Sequence, residues 1–231
     1  MKTAIIIPLH NEEGNIKELL DRLLKLKDDL YILPVDDNSS DKTKEIINYY
    51  GQINKNIIPL HRDRQEGLHA VYITGFKKAI ELPIRGIITM DGDLSHSPED
   101  VPRLISKGVS YDLVIGSRYV EKGKTIEWSP FRKLMSWTAR SLARLLLGIK
   151  VKDCTAGFKY YSKELISSID LNNLSAIGYA FQVEMVYLAT KNNFTIKEIP
   201  ITFRGRKRGS SKVDNKETFR FLRSVFKLFI S

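Results

Sequence analysis

The sequence has few of the residues that form disulfides or soft-metal sites, with one cysteine and four histidines among 231 residues. The single Cys154 permits no internal disulfide and fits a reducing compartment, and we expect a small buried residue there rather than a catalytic thiol. The sequence has no run of about 18 or more uncharged apolar residues, so no segment is predicted to span a bilayer. The first residues lead straight into a strand-like segment, without the order of a signal peptide. These absences predict a cytoplasmic protein.

The sequence also has fewer acidic than basic residues, with 27 Asp and Glu and 37 Lys and Arg, which gives a net charge of +10. The excess is concentrated in residues 118–152 and 203–231, each with nine basic and two acidic residues. Concentrated basic charge predicts a polyanionic partner, and the candidates are nucleic acid, an anionic membrane and a phosphorylated substrate.

The chain is 42% apolar, which is enough to bury a full core in one domain. Five short segments rich in Ile, Val and Leu are predicted strands, mostly without polar alternation, as expected of strands covered on both faces. They are residues 3–8, 30–35, 56–60, 86–91 and 112–117. Amphipathic helical patterns lie between them at residues 12–27, 41–50 and 67–82, with Asp41 as the cap of the second. The pattern predicts an α/β fold with a mostly parallel central sheet flanked by helices.

Two later helices are predicted to be both basic and amphipathic. The first starts at Ser129-Pro130 and stops at Gly148, and the second covers residues 215–230. Basic amphipathic helices with aromatic residues can lie in a membrane interface, whereas the alternative is that each apolar face packs on the sheet. We therefore divide the chain into a domain at 1–214 and a C-terminal helix at 215–231 that is a candidate membrane-interface element.

Polar clusters follow four predicted strands, at the carboxyl ends where open parallel sheets bind ligands. The most informative cluster is Asp91-Gly92-Asp93. In an extended strand alternate side chains share a side, so both carboxylates are predicted to point to one spot and to bind magnesium or manganese beside a substrate diphosphate. The alternative is a plain strand-to-loop turn. His96 is expected to be a loop histidine rather than a ligand.

The combined motifs resemble family 2 glycosyltransferases of the GT-A fold, and within them the dolichyl-phosphate mannose synthases. The motifs are Pro8-Leu9-His10-Asn11-Glu12, Val35-Asp36-Asp37-Asn38-Ser39, Asp91-Gly92-Asp93-Leu94-Ser95-His96, Ser117-Arg118-Tyr119, Gly178-Tyr179-Ala180-Phe181-Gln182-Val183-Glu184 and the basic tail 203–212. The resemblance covers residues 3–214. It implies an inverting transferase that moves mannose from GDP-mannose to a polyprenyl (dolichyl) phosphate with the help of Mg or Mn.

The resemblance also implies residue roles. Pro8, His10, Glu12, Val35 and Asp37 would contact the nucleotide base and ribose; Asp91, Gly92 and Asp93 would hold the metal and diphosphate; Arg118, Arg206 and Lys212 would bind phosphates; and Arg118 and Arg132 would bind the lipid phosphate. Asp91, Asp93 and Arg118 are the implied catalytic residues. The chain departs from the family at His10, where Tyr is usual, and at Ser95, where a Gln metal ligand is usual. Ser95 is therefore the implied third metal ligand.

An acceptor phosphate is largely ionised at neutral pH, since its second pKa is about 6, so no strong general base is required. Glu184 is the nearest candidate for a general base, and the alternative is a structural role on a helix. Asp153 is expected to be a hydrogen-bonding loop residue.

Two other functions are considered. One is a transferase that uses UDP-glucose or another UDP-sugar on the same lipid phosphate. The other is a non-enzymatic membrane- or nucleic-acid-binding module, which leaves the acidic strand ends unexplained, so nucleic acid is not an expected partner. The expected location is peripheral, on the cytoplasmic face of a membrane, through the two amphipathic helices or a membrane-anchoring partner.

Overall fold

The apolar segments form a sheet of seven strands in the computed structural model, which describes residues 2–26, 29–205 and 215–230. The strands are β1 Lys2–Leu9, β2 Leu30–Asp36, β3 Leu60–His61, β4 Ile84–Thr89, β5 Leu113–Ser117, β6 Lys124–Thr125, β7 Lys159–Ser162, β8 Ile196–Pro200 and β9 Thr202–Phe203. The helices are α1 Glu13–Leu24, α2 Thr43–Ile53, α3 Leu68–Ile80, α4 Val101–Lys107, α5 Pro130–Leu147, α6 Lys163–Ser167, α7 Ala180–Lys191 and α8 Asn215–Ile230, with a 3-10 turn at Pro98–Asp100.

The main sheet has the strand order β3-β2-β1-β4-β7-β5-β8, and β6 pairs with β9 in a separate ribbon. The first four strands are parallel to one another, β5 is parallel to β8, and β7 runs antiparallel between β4 and β5. The α/β fold with a mostly parallel, helix-flanked sheet is therefore confirmed.

Helices cover both faces of this sheet. In β1, Ala4 and Ile6 face one apolar layer while Ile5 and Ile7 face the other, and all four are fully buried. Burial on both faces explains why the strand sequences lack polar alternation.

Two predicted strands differ from the structure in their limits. The third has only a single bridge, Ile32 with Ile57, before the short β3, because Pro34, which lies between the bonded Ile32 and Asp36 of β2, has no N–H to donate to it. The fourth ends at Thr89, so Asp91 lies beyond it. The expectation that strand alternation aligns the two carboxylates is therefore wrong, and a turn sets their positions instead.

Both amphipathic helices have the predicted limits. Ser129 Oγ accepts the Arg132 amide as the N-cap of α5, and Gly148 ends the helix in the left-handed conformation at φ 65°. Phe221, Val225 and Leu228 of α8 belong to the same buried cluster as Ala143 and Leu147 of α5. In packing terms α8 is thus part of the domain, and a membrane role for its outer face stays a prediction.

The helices of the described segments include none with the length and apolar character that crossing a membrane requires.

Candidate active site

The loops at the carboxyl ends of β1, β2 and β4 open onto a cleft of about 600 Å³. Of the predicted donor-site residues, seven line it: Pro8, His10, Glu12, Asp37, Asp91, Gly92 and Asp93. The lining also includes segments that the sequence did not assign to the nucleotide site, namely 65–68, 177–179 and Arg220. Parallel strands that end at one edge bring the first three loops together, as the sequence predicts.

One corner of the cleft is built by cross-links between the loops after β1 and β2. His10 Nδ1–H donates to the Asp37 carbonyl at 3.0 Å, which sets the ring orientation and the tautomer. Asn11 lies in the left-handed region at φ 56°, donates its amide to Ser39 Oγ and accepts the Ser40 amide. The ring of His10 is consequently held at the cleft wall.

Asp37 is less available for contact with a nucleotide than the sequence predicts. Its side chain is 6% exposed and Oδ1 accepts from Arg62 Nε at 3.0 Å. Arg62 also donates to the Ala70 carbonyl and to Glu66. Sequence reasoning missed Arg62 because its partners are far apart along the chain and no local motif marks it.

Val35 does not line the cleft. Its side chain is fully buried in the core, so a contact with a nucleotide would have to come from its backbone.

The turn after β4 is held tightly against the first motif. A Cβ on Gly92 would come within 2.5 Å of Leu9 Cδ2 and 3.1 Å of the Pro8 carbonyl oxygen, so a larger residue would force the Leu9 side chain and the first motif to shift. Asp93 Oδ1 accepts the Ser95 amide at 3.0 Å, and Leu94 lies at φ 61°. The turn therefore places both carboxylates on the cleft.

His96 supports this turn from behind. The Asp91 amide donates to His96 Nδ1 at 3.2 Å, and the ring stacks on Phe158 at 5.0 Å between centroids. Burial lowers the pKa of His96, partly offset by the charges of Asp91 and Asp93. His96 is thus a buried residue whose ring accepts the Asp91 amide and helps to position this carboxylate.

The oxygen atoms of this turn suit a hard divalent cation. Asp91 and Asp93 supply carboxylates to the cleft, whereas Ser95 is not among its lining residues and its Oγ is buried without a hydrogen-bond partner among the described residues. No cluster of three or more His, Cys, Asp or Glu side chains that could enclose a metal lies within 2–26, 29–205 and 215–230. Magnesium is commonly held by one or two carboxylates with substrate oxygens completing its shell, so the donor set fits.

Arg118 lies away from the cleft lining. Its Nε and Nη2 donate to Asp153 at 2.9 and 2.7 Å, and the carboxylate is fully buried. Burial alone would lower the pKa of Arg118, but the charge of Asp153 outweighs it and the pKa is raised. Asp153 is thus an ion-pair partner, a stronger role than the loop hydrogen bond expected of it.

Arg118 and Arg132 are nevertheless brought together by an aromatic side chain. Their guanidinium carbons lie 5.4 and 4.3 Å from the centroid of the Trp128 ring, within cation–π range. Trp128 packs edge-on against Phe203, whose ring also contacts His96. The predicted lipid-phosphate residues Arg118 and Arg132 therefore contact the same ring, which Phe203 links to His96 beneath the Asp91 turn.

Glu184 has a structural role. Its carboxylate accepts from the Ser175 amide and hydroxyl and from the Ala176 amide, at 2.8 to 3.1 Å. These bonds hold the loop before α7 and leave Glu184 poorly suited to act as a base.

Arg206 and Lys212 lie outside the described residues. The segment that leads to them is anchored at the site, because the Arg204 amide donates to the Ser95 carbonyl at 3.1 Å.

Residues 4–170 match the family described as Glycosyl transferase family 2. Undecaprenyl-phosphate mannosyltransferase of Micrococcus luteus is 37% identical over 213 residues, covering 92% of this chain and 88% of that protein. Polyprenol monophosphomannose synthase of Mycolicibacterium smegmatis is 36% identical over 214 residues, covering 92% of this chain and 81% of that protein.

Among solved structures, the fold is similar to glucosyl-3-phosphoglycerate synthase of Mycobacterium tuberculosis in complex with Mn²⁺, UDP-glucose and phosphoglyceric acid. The TM-score is 0.74 at 15% identity, covering 99% of this chain and 79% of that one. At this identity the likeness concerns the fold.

Proposed function

Since the chain belongs to glycosyl transferase family 2, we propose that it transfers mannose from GDP-mannose to the phosphate of a polyprenyl lipid, with inversion at the sugar carbon. Membership confirms the predicted resemblance and the enzymatic class, in place of a non-enzymatic basic module. The observation that carries the substrate class is the identity of 37% and 36% to two polyprenyl-phosphate mannose transferases over 92% of the chain.

The donor would bind along the cleft. Pro8 offers an apolar edge, His10 a flat ring and Glu12 a carboxylate to the base and ribose. The His10–Asp37 hydrogen bond keeps this part of the cleft in place. The diphosphate would then lie toward Asp91 and Asp93.

Asp91 and Asp93, with Ser95 Oγ as a third oxygen, would hold a divalent cation. When bound, such a cation offsets the negative charge that develops on the leaving diphosphate. Ser95 presents a shorter side chain than the usual Gln, so the cation would depend more on the substrate oxygens.

The acceptor phosphate would bind at Arg132 and Arg118 beside Trp128. Asp153 engages Nε and Nη2 of Arg118, which leaves Nη1 as its donor, while Arg132 supplies a second guanidinium on the same ring. Arginine suits phosphate because its planar donors match pairs of oxygens. Since the acceptor is already ionised and Glu184 is hydrogen-bonded elsewhere, the attack would proceed without a general base.

A lipid acceptor requires contact with a membrane, for which α5 and α8 are the proposed elements. The two helices pack on each other and leave Leu134, Trp137, Phe226 and Phe229 more than half exposed. Basic residues on the same helices would attract anionic lipid, at about 1 kcal/mol per residue close to the surface.

The decisive test measures sugar transfer to polyprenyl phosphate from GDP-mannose and from UDP-glucose, with Mg²⁺ or Mn²⁺ and with a chelator. We expect transfer from GDP-mannose that chelation abolishes. Transfer from UDP-glucose alone would show that UDP-glucose, and not GDP-mannose, is the donor. Activity unaffected by chelation would refute the metal role.

Asp93→Asn should reduce transfer about 100-fold or more, because the cation supplies several kcal/mol and each ~1.4 kcal/mol is a factor of ten. Urea denaturation should show that the variant is folded. Glu184→Gln is the contrasting variant, whose turnover by the folded fraction should stay near wild type.

A further inference from the structure

The charges in the cleft do not suit the ligand proposed for it. Among the described lining residues five are acidic, while a single one is Lys or Arg; the acids are Glu12, Asp37, Glu66, Asp91 and Asp93, and the basic residue is Arg220. Both phosphates of a nucleoside diphosphate sugar are ionised at neutral pH, so these five carboxylates by themselves would repel them.

Part of this acidic charge is offset within the protein. Arg62 forms ion pairs with both Asp37 and Glu66, so its single positive charge offsets one of these two negative charges. A divalent cation would offset Asp91 and Asp93, but the described lining residues other than Arg220 would add no positive charge for the diphosphate. A further cation at the cleft is therefore expected to contribute strongly to donor binding.

Arg220 is held at the cleft by the packing of α8. Phe221, next in the chain, is buried against the domain, and Ser224 Oγ accepts the Ile177 amide at 3.4 Å. That bond ties α8 to the segment 177–179, which forms the adjoining part of the cleft wall. The position of Arg220 is thus set by a buried helix face rather than by a free loop.

We propose that Arg220 binds the diphosphate of the nucleotide donor. Helix α8 would then contribute to the donor cleft through Arg220 and to the proposed membrane contact through its exposed apolar side chains. The inference rests on the proposed function and extends it, because none of the motifs that resemble the family includes this position. A guanidinium provides paired N–H donors for phosphate oxygens, and Arg220 is the one Lys or Arg among the described lining residues.

The chain offers a matched control in Arg223. It has the same side chain, lies one turn further along α8, is exposed and does not line the cleft. Arg220→Gln and Arg223→Gln therefore remove the same charge from the same helix, and only the first removes it from the cleft.

The experiment measures the binding of GDP and of guanosine to the full chain with Mg²⁺ by calorimetry. Arg220→Gln should weaken GDP binding by roughly tenfold to a hundredfold, the loss expected for a charge-assisted hydrogen bond. It should leave guanosine binding unchanged, and Arg220→Lys should recover part of the GDP affinity. Arg223→Gln should bind GDP like the wild type.

Equal GDP affinity in the wild type and Arg220→Gln would overturn the inference. So would equal losses in both Gln variants, which indicate general electrostatics, or a parallel loss of guanosine binding, which indicates altered folding. If the wild type binds UDP instead of GDP, the proposed donor is wrong, and the same comparison made with UDP still decides the role of Arg220.

Discussion

Two charged side chains, Asp153 and Lys159, are completely buried behind the cleft. Asp153 is paired with Arg118, and Lys159 Nζ donates to the carbonyl and the side-chain oxygen of Gln182. Buried charge is costly unless it is paired or neutralised, and these two residues represent the two solutions. Each leads to a measurable prediction about stability.

Asp153→Asn should destabilise the fold by about 3–5 kcal/mol at pH 7, because it leaves the Arg118 charge buried without a partner. The pKa of Asp153 is lowered in the fold: burial opposes this, and Arg118 more than compensates. The contribution of Asp153 to the free energy of unfolding is therefore fully present above the ordinary pKa of a carboxyl group. It is lost as the pH falls through the lower pKa that Asp153 has in the folded state. Urea denaturation measures both effects.

The control for this prediction is Glu81→Gln, which breaks the exposed pair with Lys78. An exposed pair is worth about 0–1 kcal/mol, so this variant should remain near wild type. If the two variants lose equal stability, the Arg118–Asp153 pair does not have the importance assigned to it.

Lys159→Met should flatten the dependence of stability on pH. Burial lowers the pKa of Lys159 from its ordinary 10.5 to about 7. Between these values the unfolded chain binds more protons than the folded one, so the Lys159 contribution makes the wild type more stable as pH rises. A neutral amine retains two N–H donors, which match the two Gln182 oxygens.

The measurement is the free energy of unfolding at pH 7 and at pH 9.5. The difference between wild type and Lys159→Met should grow with pH, whereas Lys150→Met, at an exposed position, should parallel the wild type. Parallel curves for Lys159→Met would mean that Lys159 keeps its proton across this range.

At the scale of the element, α8 has one face that packs on the domain and another that is exposed. Phe221, Val225 and Leu228 pack inward, while Phe226 and Phe229 are 58% and 53% exposed. An amphipathic helix needs only its inward stripe for folding, so the outer aromatic residues are available for an interface.

Phe226→Glu with Phe229→Glu should reduce binding to vesicles that contain anionic lipid by about tenfold or more, because apolar insertion and electrostatic attraction are both lost. Vesicle sedimentation measures the binding, and raised salt should weaken the wild-type interaction. Tyr49→Glu with Ile53→Glu, on exposed positions of α2, introduces the same charge elsewhere. Equal partitioning of the two double variants would contradict a specific role for α8.

At the scale of the whole molecule, the cleft joins residues from distant parts of the chain, from Pro8 to Arg220. A ligand that binds only the folded state stabilises it by mass action, by about 2.7 kcal/mol at a concentration 100 times its Kd. GDP with Mg²⁺ at that excess should therefore raise Tm by roughly 5–10 °C for a domain of this size.

Thermal unfolding with and without GDP, Mg²⁺ and chelator checks this prediction. The increase should require both ligands together in the wild type, and Asp93→Asn should lose the part that depends on Mg²⁺. An equal increase with GDP in the presence of chelator would show that the cation does not link the nucleotide to the protein.

Much of the fold was predictable because its signals are local. Buried strands appear as continuous Ile, Val and Leu runs, and Ser129, Pro130 and Gly148 mark the ends of α5 by their own backbone chemistry. The antiparallel β7 was not predicted, because its place between β4 and β5 depends on pairing with strands that lie far away in the sequence. Sheet order is a property of such long-range pairings.

The sequence by itself determined the class of fold, the polar strand ends that face one edge, and the identity of the acidic turn at Asp91 and Asp93. Only the tertiary structure decided how the charges are distributed among these groups. It pairs Arg118 with Asp153 and Asp37 with Arg62, and it brings Arg220 to the cleft. The physical reason is that strand ends and caps depend on neighbouring residues, whereas the partner of a charge depends on which distant side chains the packed core brings within a few ångströms.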